Sequence, residues 1–170
     1  MEKKALSHLM AGLVMGAVLI LINVIFIIFD LTGNTKVSWI GSVINVGLLI
    51  YFIIDFGKAN DNTKTFGELF SYGFKATAIV TLLLTAFMII YSLVFPESAD
   101  KAMEVAREQM STKQELSDEQ IDQALEITKK FYFPILIAGT LFGTMLIGAV
   151  GSLIGAGVTK KSPSNPFQNQ

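Results

Sequence analysis

Four long apolar stretches alternate with polar segments along the chain, and they cover residues 6–29, 37–56, 72–95 and 131–158. Each stretch reaches the roughly 20 residues that an α-helix needs to cross about 30 Å of hydrocarbon. None carries a charged residue in its central part, where a lysine or aspartate would cost roughly 2.5 to 3.5 kcal/mol on insertion. The pattern therefore predicts four membrane-spanning helices, which we call spans 1 to 4.

The first polar segment, 30–36, is short and contains the turn formers Gly33 and Asn34. Spans 1 and 2 are therefore predicted to form an antiparallel helical hairpin. Lysines precede span 1, but no small-residue cleavage pattern follows it. We therefore expect span 1 to remain attached rather than to act as a secretion signal.

The longest polar segment, 96–130, carries a helical pattern of its own. Apolar or small residues recur at helical spacing from Ala99 to Met110, and again from Ile121 to Tyr132. Two amphipathic helices are predicted, and together they form a helical hairpin outside the membrane, between spans 3 and 4.

A polar break at 111–117 separates these two helices. Ser117 and Gln120 make a capping-box pattern, in which each side chain satisfies a backbone donor of the other residue, so they predict the start of the second helix. Pro134 lacks a backbone donor and clashes with the preceding turn. We therefore expect a kink near 130–134, where the second helix continues into span 4.

The predicted fold is all-α: an integral membrane four-helix bundle with an extramembrane helical hairpin between helices 3 and 4. One membrane domain covers residues 1–161 and includes the insert at 96–130. The remaining segment, 162–170, contains prolines, asparagines and glutamines with little to bury, which predicts a disordered tail.

Composition agrees with a membrane protein and excludes several classes of function. Hydrophobic residues make up 52% of the chain and charged residues only 16%, which leaves too little polar surface to cover four apolar helices in water. The net charge of -1 provides no basic field for nucleic acid. The lack of cysteine and the single histidine, His8, exclude thiolate and multi-histidine metal sites. We therefore predict no catalytic residue, no cofactor, no metal and no nucleic-acid partner.

The distribution of basic residues predicts the orientation in the membrane. Lysines of short segments lie mostly on the side of the two termini: Lys3, Lys4, Lys58, Lys64, Lys75, Lys160 and Lys161. The positive-inside rule weights short loops, so we expect both termini in the cytoplasm. Lys129 and Lys130, beside span 4 on the outer side, oppose this assignment.

Small residues at a spacing of four predict close helix packing in two spans. Span 1 has Gly12 and Gly16, and span 4 has Gly139, Gly143, Gly148, Gly151, Ser152 and Gly155. We expect spans 1 and 4 to pack on each other within one bundle, and Gly143 and Gly151 to face a neighbouring helix. The alternative is that the stripe on span 4 mediates dimerisation.

Asn23 and Asn45 lie near the middle of spans 1 and 2, where an unpaired amide is costly. Because adjacent antiparallel helices place their midpoints at similar depth, the two amides can meet. They either form an interhelical hydrogen bond or belong to a polar pathway with Thr77, Thr81 and Thr85 of span 3. Pumps and proton-coupled carriers generally keep a charged group at mid-membrane, and none is present here, which favours the structural alternative.

Three features together resemble a known family. They are the sequence FGELFSYGF at 66–74, the long charged insert before span 4, and the ending GAVGSLIGA at 148–156 followed by Lys160 and Lys161. The chain resembles a bacterial family of four-span membrane proteins, the domain of unknown function numbered 4199. The resemblance implies four helices and a location in the bacterial inner membrane. It brings no activity, substrate or catalytic residue.

Two hypotheses for function follow. In the first, the chain is a non-enzymatic interaction or assembly protein, surrounded by the lipid bilayer, that presents a periplasmic hairpin at 97–130 to itself or to another membrane protein. In the second, it is a small-solute or ion transporter or channel that uses the intramembrane Asn and Thr residues. The patterned insert and the absence of mid-membrane charge favour the first hypothesis.

Overall fold

The computed structural model describes residues 5–31, 35–112 and 117–162, which form six helices and no strand. The helices are α1 His8–Ile28, α2 Thr35–Ala59, α3 Phe66–Val94, α4 Glu97–Ser111, α5 Asp118–Lys130 and α6 Tyr132–Val158. Spans 1 to 4 correspond to α1, α2, α3 and α6, and each of these helices is long and apolar enough to cross a membrane. The prediction of an all-α fold with four apolar helices is confirmed.

The start of α3 differs most from the prediction, because the helix begins at Phe66 rather than at residue 72. Thr65 and Glu68 form a capping box: the Thr65 hydroxyl accepts from the Glu68 backbone N–H, and the Glu68 carboxylate accepts from the Thr65 backbone N–H at 2.9 Å. The 29 residues of α3 span about 44 Å at 1.5 Å per residue, so α3 extends well beyond the hydrocarbon layer.

The central helix of the bundle is α3, which packs mainly on α6 and α1, and α2 packs mainly on α6. The expected packing of span 1 on span 4 is wrong, because the glycines of α1 lie against α3. A Cβ at Gly12 would come within 2.7 Å of the Ala76 carbonyl oxygen, and one at Gly16 within 2.5 Å of the Leu83 side chain. These glycines therefore permit a close α1–α3 contact.

The core is concentrated at the end of the bundle where α1 and α3 begin, and where α2 and α6 end. Its buried apolar residues include Ala11, Met15, Leu49, Phe52, Ile53, Leu69, Tyr72, Ala76, Val80 and Ala156. The Tyr72 hydroxyl donates to the Leu6 carbonyl at 3.0 Å, and its ring stacks on Phe56 with centroids 4.2 Å apart. We call this region, which holds both ends of the described chain, the terminal end.

The predicted tail, 162–170, lies outside the described residues except for Ser162. That residue is held at the terminal end, since its backbone N–H donates to the Asn62 carbonyl at 3.0 Å and its hydroxyl donates to the Asp61 carbonyl at 2.5 Å. Ser162, the first residue of the predicted tail, is therefore part of the terminal end.

The opposite end carries the helical hairpin of α4 and α5, and we call it the hairpin end. Ile121 and Leu125, one turn apart on α5, are 2% and 8% exposed, so the apolar stripe of α5 is buried. The capping box of Ser117 and Gln120 begins α5 as predicted. Of the predicted break at 111–117, residues 113–116 lie outside the described residues.

The join between α5 and α6 is interrupted at Phe131, whose φ of -107° and ψ of 22° are not helical. The predicted kink near 130–134 therefore lies at Phe131. Pro134 falls in the first turn of α6, where backbone N–H groups have no partner within the helix, so the proline is tolerated there without breaking α6.

Candidate functional site

The hairpin is attached to the membrane helices by more than the chain itself. Lys101 Nζ of α4 lies 3.0 Å from Asp30 Oδ1, directly after α1. The Asp30 carboxylate raises the pKa of Lys101, so the contribution of this ion pair is fully present below the ordinary lysine pKa and is lost as the pH rises through the raised value. This exposed contact shows that the base of the hairpin lies beside the end of α1.

Ion pairs also join the two helices of the hairpin to each other. Lys129 Nζ of α5 lies 2.8 Å from Asp100 Oδ1 of α4, and Arg107 of α4 pairs with Asp122 of α5. These pairs are exposed and each contributes little free energy. Together with the buried stripe of α5, they set how the two helices lie against each other.

A groove of about 310 Å³ lies between α4 and α5 on the surface of the hairpin. Two apolar side chains, Met103 and Leu125, line it together with side chains of both charges: Glu104, Arg107, Glu126 and Lys129. An apolar strip bordered by both signs of charge suits a protein helix with the complementary pattern better than a ligand of single charge. We call this feature the hairpin groove.

Within the bundle, Asn23 and Asn45 line one cavity of about 320 Å³. Its described lining comes from α1, α2, α3, α6 and the residue Leu31, and includes Leu19, Ile22, Phe26, Gly41, Ser42, Leu84, Thr144 and Ile147. The structure thus brings the two amides to the same space. We call it the asparagine cavity.

The asparagine cavity combines apolar and polar side chains, and its described lining carries no charge. The Asn23 side-chain Nδ2 donates to the Leu19 carbonyl of its own helix at 2.8 Å, which fixes the orientation of that amide. Asn45 is only 6% exposed, and Ser42 of α2 and Thr144 of α6 also line the cavity. Amides and hydroxyls both donate and accept hydrogen bonds, so the cavity suits a neutral hydrogen-bonding group.

The asparagine cavity is closed toward the terminal end. Met15 lies one helical turn before Leu19, and Leu49 lies one turn after Asn45. Met15, Leu49 and the neighbouring Ile53 are completely buried. The described lining of the cavity does not extend past this packed apolar layer, so the described residues form a pocket and no channel through the bundle.

The threonines of α3 do not join the asparagines in the described lining of the cavity, so the described residues do not assemble the polar pathway that was the alternative to a structural role. Thr77 packs against Gly148 of α6, and the Thr81 hydroxyl donates to the Thr77 carbonyl at 2.9 Å. The hydroxyls of Thr77 and Thr85 are buried without a partner among the described residues. Thr77 therefore belongs to the α3–α6 contact.

Three glycines of α6 lie in its contacts with α2 and α3. A Cβ added to each would come within 3.0 Å of a side chain on the neighbouring helix: Thr77 for Gly148, Leu49 for Gly151 and Ile53 for Gly155. Ser152 is completely buried between them, and its hydroxyl faces Gly73 of α3. The inner face of α6 is therefore built from small residues that let the helices approach closely.

Gly139 and Gly143 lie on the outer face of α6, where no described atom lies within 4 Å of an added Cβ. The prediction that these two residues pack on a neighbouring helix of the same chain is wrong. A helix turns by about 100° per residue, so Gly148 points about 180° away from Gly139. The sequence contained this signal, because the step from Gly143 to Gly148 is five residues rather than four.

At the terminal end, His8 lines a hollow together with Glu68, Lys75 and neighbouring residues. The Glu68 carboxylate is already engaged by the Thr65 backbone and by Lys64 Nζ, each at 2.9 Å. In the described part of the chain, no three His, Asp or Glu side chains are grouped so that they could hold a metal ion. We assign no chemistry to this hollow.

Four apolar helices of membrane-spanning length and a polar helical hairpin together define a multi-span membrane protein. The chain matches the family described as "Protein of unknown function (DUF4199)" over residues 11–161, and it belongs to that family. The resemblance drawn from the sequence is confirmed. No curated protein and no solved structure matches the chain.

Proposed function

We propose that the chain is a non-enzymatic interaction or assembly protein of the bacterial inner membrane, which presents the hairpin to a second copy of itself or to another membrane protein. One observation carries this proposal: the hairpin is larger than its connecting role requires. The hydroxyls of Ser92 on α3 and Tyr132 on α6 lie 3.5 Å apart, so a short turn could join the two helices.

Instead, the connection consists of two helices with a buried stripe and an ion pair to α1. Ordering a segment costs conformational entropy, and a mere linker gains nothing from it. The hairpin groove, with Met103 and Leu125 among charges of both signs, offers a surface for a protein partner. Order and groove together support a role in binding.

The proposed orientation places both termini in the cytoplasm and the hairpin in the periplasm. The described lysines of the short segments on this side lie at the terminal end, which the Tyr72–Leu6 and Ser162–Asp61 hydrogen bonds hold together: Lys58, Lys64, Lys75, Lys160 and Lys161. Cytoplasmic loops carry the excess of lysine and arginine, which supports this assignment.

Site-specific photocrosslinking in native membranes tests the proposal. A benzoylphenylalanine at Glu104, in the hairpin groove, is expected to give a discrete adduct, whose mass distinguishes a second copy from a different protein. The same probe at Gln123, which is exposed and outside the groove lining, serves as the matched control. Met103→Glu should remove the adduct at position 104. Equal crosslinking at positions 104 and 123 would contradict a specific surface.

A second candidate function is the passage of a small solute or ion. It is supported by the fact that Asn23 and Asn45 line the same cavity. The buried layer of Met15, Leu49 and Ile53 closes that cavity, so passage would require a further conformation. Uptake or conductance in reconstituted vesicles that is lost in Asn23→Leu with Asn45→Leu would decide for this function.

A further inference from the structure

An apolar groove lies directly beside the asparagine cavity, on the outside of the bundle. The groove measures about 440 Å³ and is lined by Trp39, Ser42, Val43, Val46, Leu146, Ile147 and Val150. Ser42 of α2 and Ile147 of α6 line both the groove and the asparagine cavity. The interior cavity, whose lining combines polar and apolar side chains, and the apolar exterior groove therefore adjoin at the seam between α2 and α6.

The apolar groove faces the bilayer rather than water. Three of its residues, Trp39, Val43 and Leu146, are 69%, 67% and 69% exposed on helices of membrane-spanning length. In a membrane these surfaces contact lipid chains, and tryptophan favours the interface between chains and headgroups. A molecule that reaches the asparagine cavity through the seam would therefore come from the bilayer.

The chemistry of the two spaces limits what such a molecule can be. The cavity presents amides and hydroxyls without a charge in its described lining, so a charged headgroup would lose its hydration without gaining a counter-charge. A pure hydrocarbon would leave the cavity's amides and hydroxyls without new partners. A neutral amphiphile whose head carries hydroxyl groups suits both spaces, because its head can bond the amides and hydroxyls and its chain can lie on the apolar side chains.

We propose that the asparagine cavity and the apolar groove form one binding site for an uncharged, single-chain amphiphile of the bilayer, of the monoacylglycerol type. The hydroxylated head lies in the cavity beside Asn23 and Asn45, and the chain lies in the groove against Trp39. Both volumes fall within the range of small-molecule sites. This site is independent of the hairpin and of its partner.

Trp39 provides the measurement, because it is the single tryptophan of the chain and lines the groove. The purified full chain in detergent micelles is titrated with a monoacylglycerol brominated on its chain, and separately with a brominated phosphatidylcholine at equal bromine content. We expect the monoacylglycerol to quench Trp39 fluorescence at least twofold more strongly and to saturate near one molecule per protein. Equal quenching by the two lipids overturns the proposal, because Trp39 then reports only bulk lipid.

Two variants locate the head of the amphiphile. Asn23→Leu with Asn45→Leu should abolish the preference for the monoacylglycerol, whereas the control Thr81→Val, a buried position outside the described cavity lining, should keep it. If the double variant fails to fold, Ser42→Phe, which fills the seam and retains both amides, should also abolish the preference. A preference that persists in folded Ser42→Phe overturns the proposal.

Discussion

Position 148 shows how a helix contact can depend on the absence of a side chain. A Cβ there would lie 2.1 Å from Thr77 Cγ2, far inside the separation of about 3.5 Å or more at which two carbon atoms attract each other. Gly143 lies on the outer face of the same helix, with open space around it. The two glycines share a helix and differ only in what they face.

Gly148→Leu is therefore expected to lower the free energy of unfolding by at least the roughly 1 to 3 kcal/mol typical of overpacking, because α3 and α6 must move apart. Gly143→Leu should change it by less than about 0.5 kcal/mol, as surface substitutions usually do. Chemical denaturation in detergent, followed by circular dichroism, measures both values. Equal losses would mean that the outer face of α6 packs on another helix, as it would in a dimer.

The small residues also show which parts of the helix packing can be predicted from the sequence. Their spacing identified positions of close approach, and the rotation between Gly143 and Gly148 could have separated the outer pair from the inner set. The partner helix could not be predicted. Gly12 and Gly16 lie against α3 rather than α6, because spacing carries no information about which neighbour supplies the facing side chains.

At the scale of the element, the hairpin depends on one buried stripe of α5. Leu125 is 8% exposed and lies in that stripe, whereas Ile127, on the same helix, is 61% exposed. An aspartate at position 125 would place an unpaired charge in the interface between α4 and α5, and one at position 127 would stay in solvent. The two positions therefore form a matched pair.

Leu125→Asp is expected to raise hydrogen exchange throughout residues 97–130 while the four long helices keep their protection. Isolated helices of this length are marginal in water, so loss of the stripe should release both helices together. Ile127→Asp should leave exchange near its original level. Fast exchange across 97–130 in the unmodified chain would instead show that the stripe does not order the segment.

Capping boxes explain which helix boundaries could be predicted. Ser117 and Gln120 gave the start of α5, and Thr65 and Glu68 form the same pattern at the start of α3. The second box was missed because the mixed aromatic and charged residues of 66–75 interrupt the apolar run. An apolar run marks the membrane-embedded part of a helix, whereas caps mark where the helix itself begins.

The asparagine cavity could not be predicted in the same way. Four helices line it, so the sequence around any one of them contains no sign of the cavity beyond the two asparagines.

For the whole molecule, the two ends of the bundle have different characters. The terminal end holds most of the buried core and is tied by hydrogen bonds of Tyr72 and Ser162. The asparagine cavity, the apolar groove and the hairpin lie toward the other end. Because local stability follows the density of buried contacts, the hairpin end is expected to open more readily than the terminal end.

The orientation of the chain in the membrane determines which compartment contains the hairpin. Because the chain contains no cysteine, a cysteine introduced at one position can be labelled specifically to establish that orientation. Ala59, at the end of α2, and Gln123, on α5, are both exposed and lie at opposite ends of the bundle. With both termini in the cytoplasm, a membrane-impermeant maleimide should label Gln123→Cys in intact cells and Ala59→Cys only after permeabilisation. Adding Lys129→Gln and Lys130→Gln removes the basic residues that oppose this orientation, so the labelling pattern should not change.

Labelling of Ala59→Cys alone in intact cells would place the hairpin groove in the cytoplasm. These two lysines would then dominate the charge count.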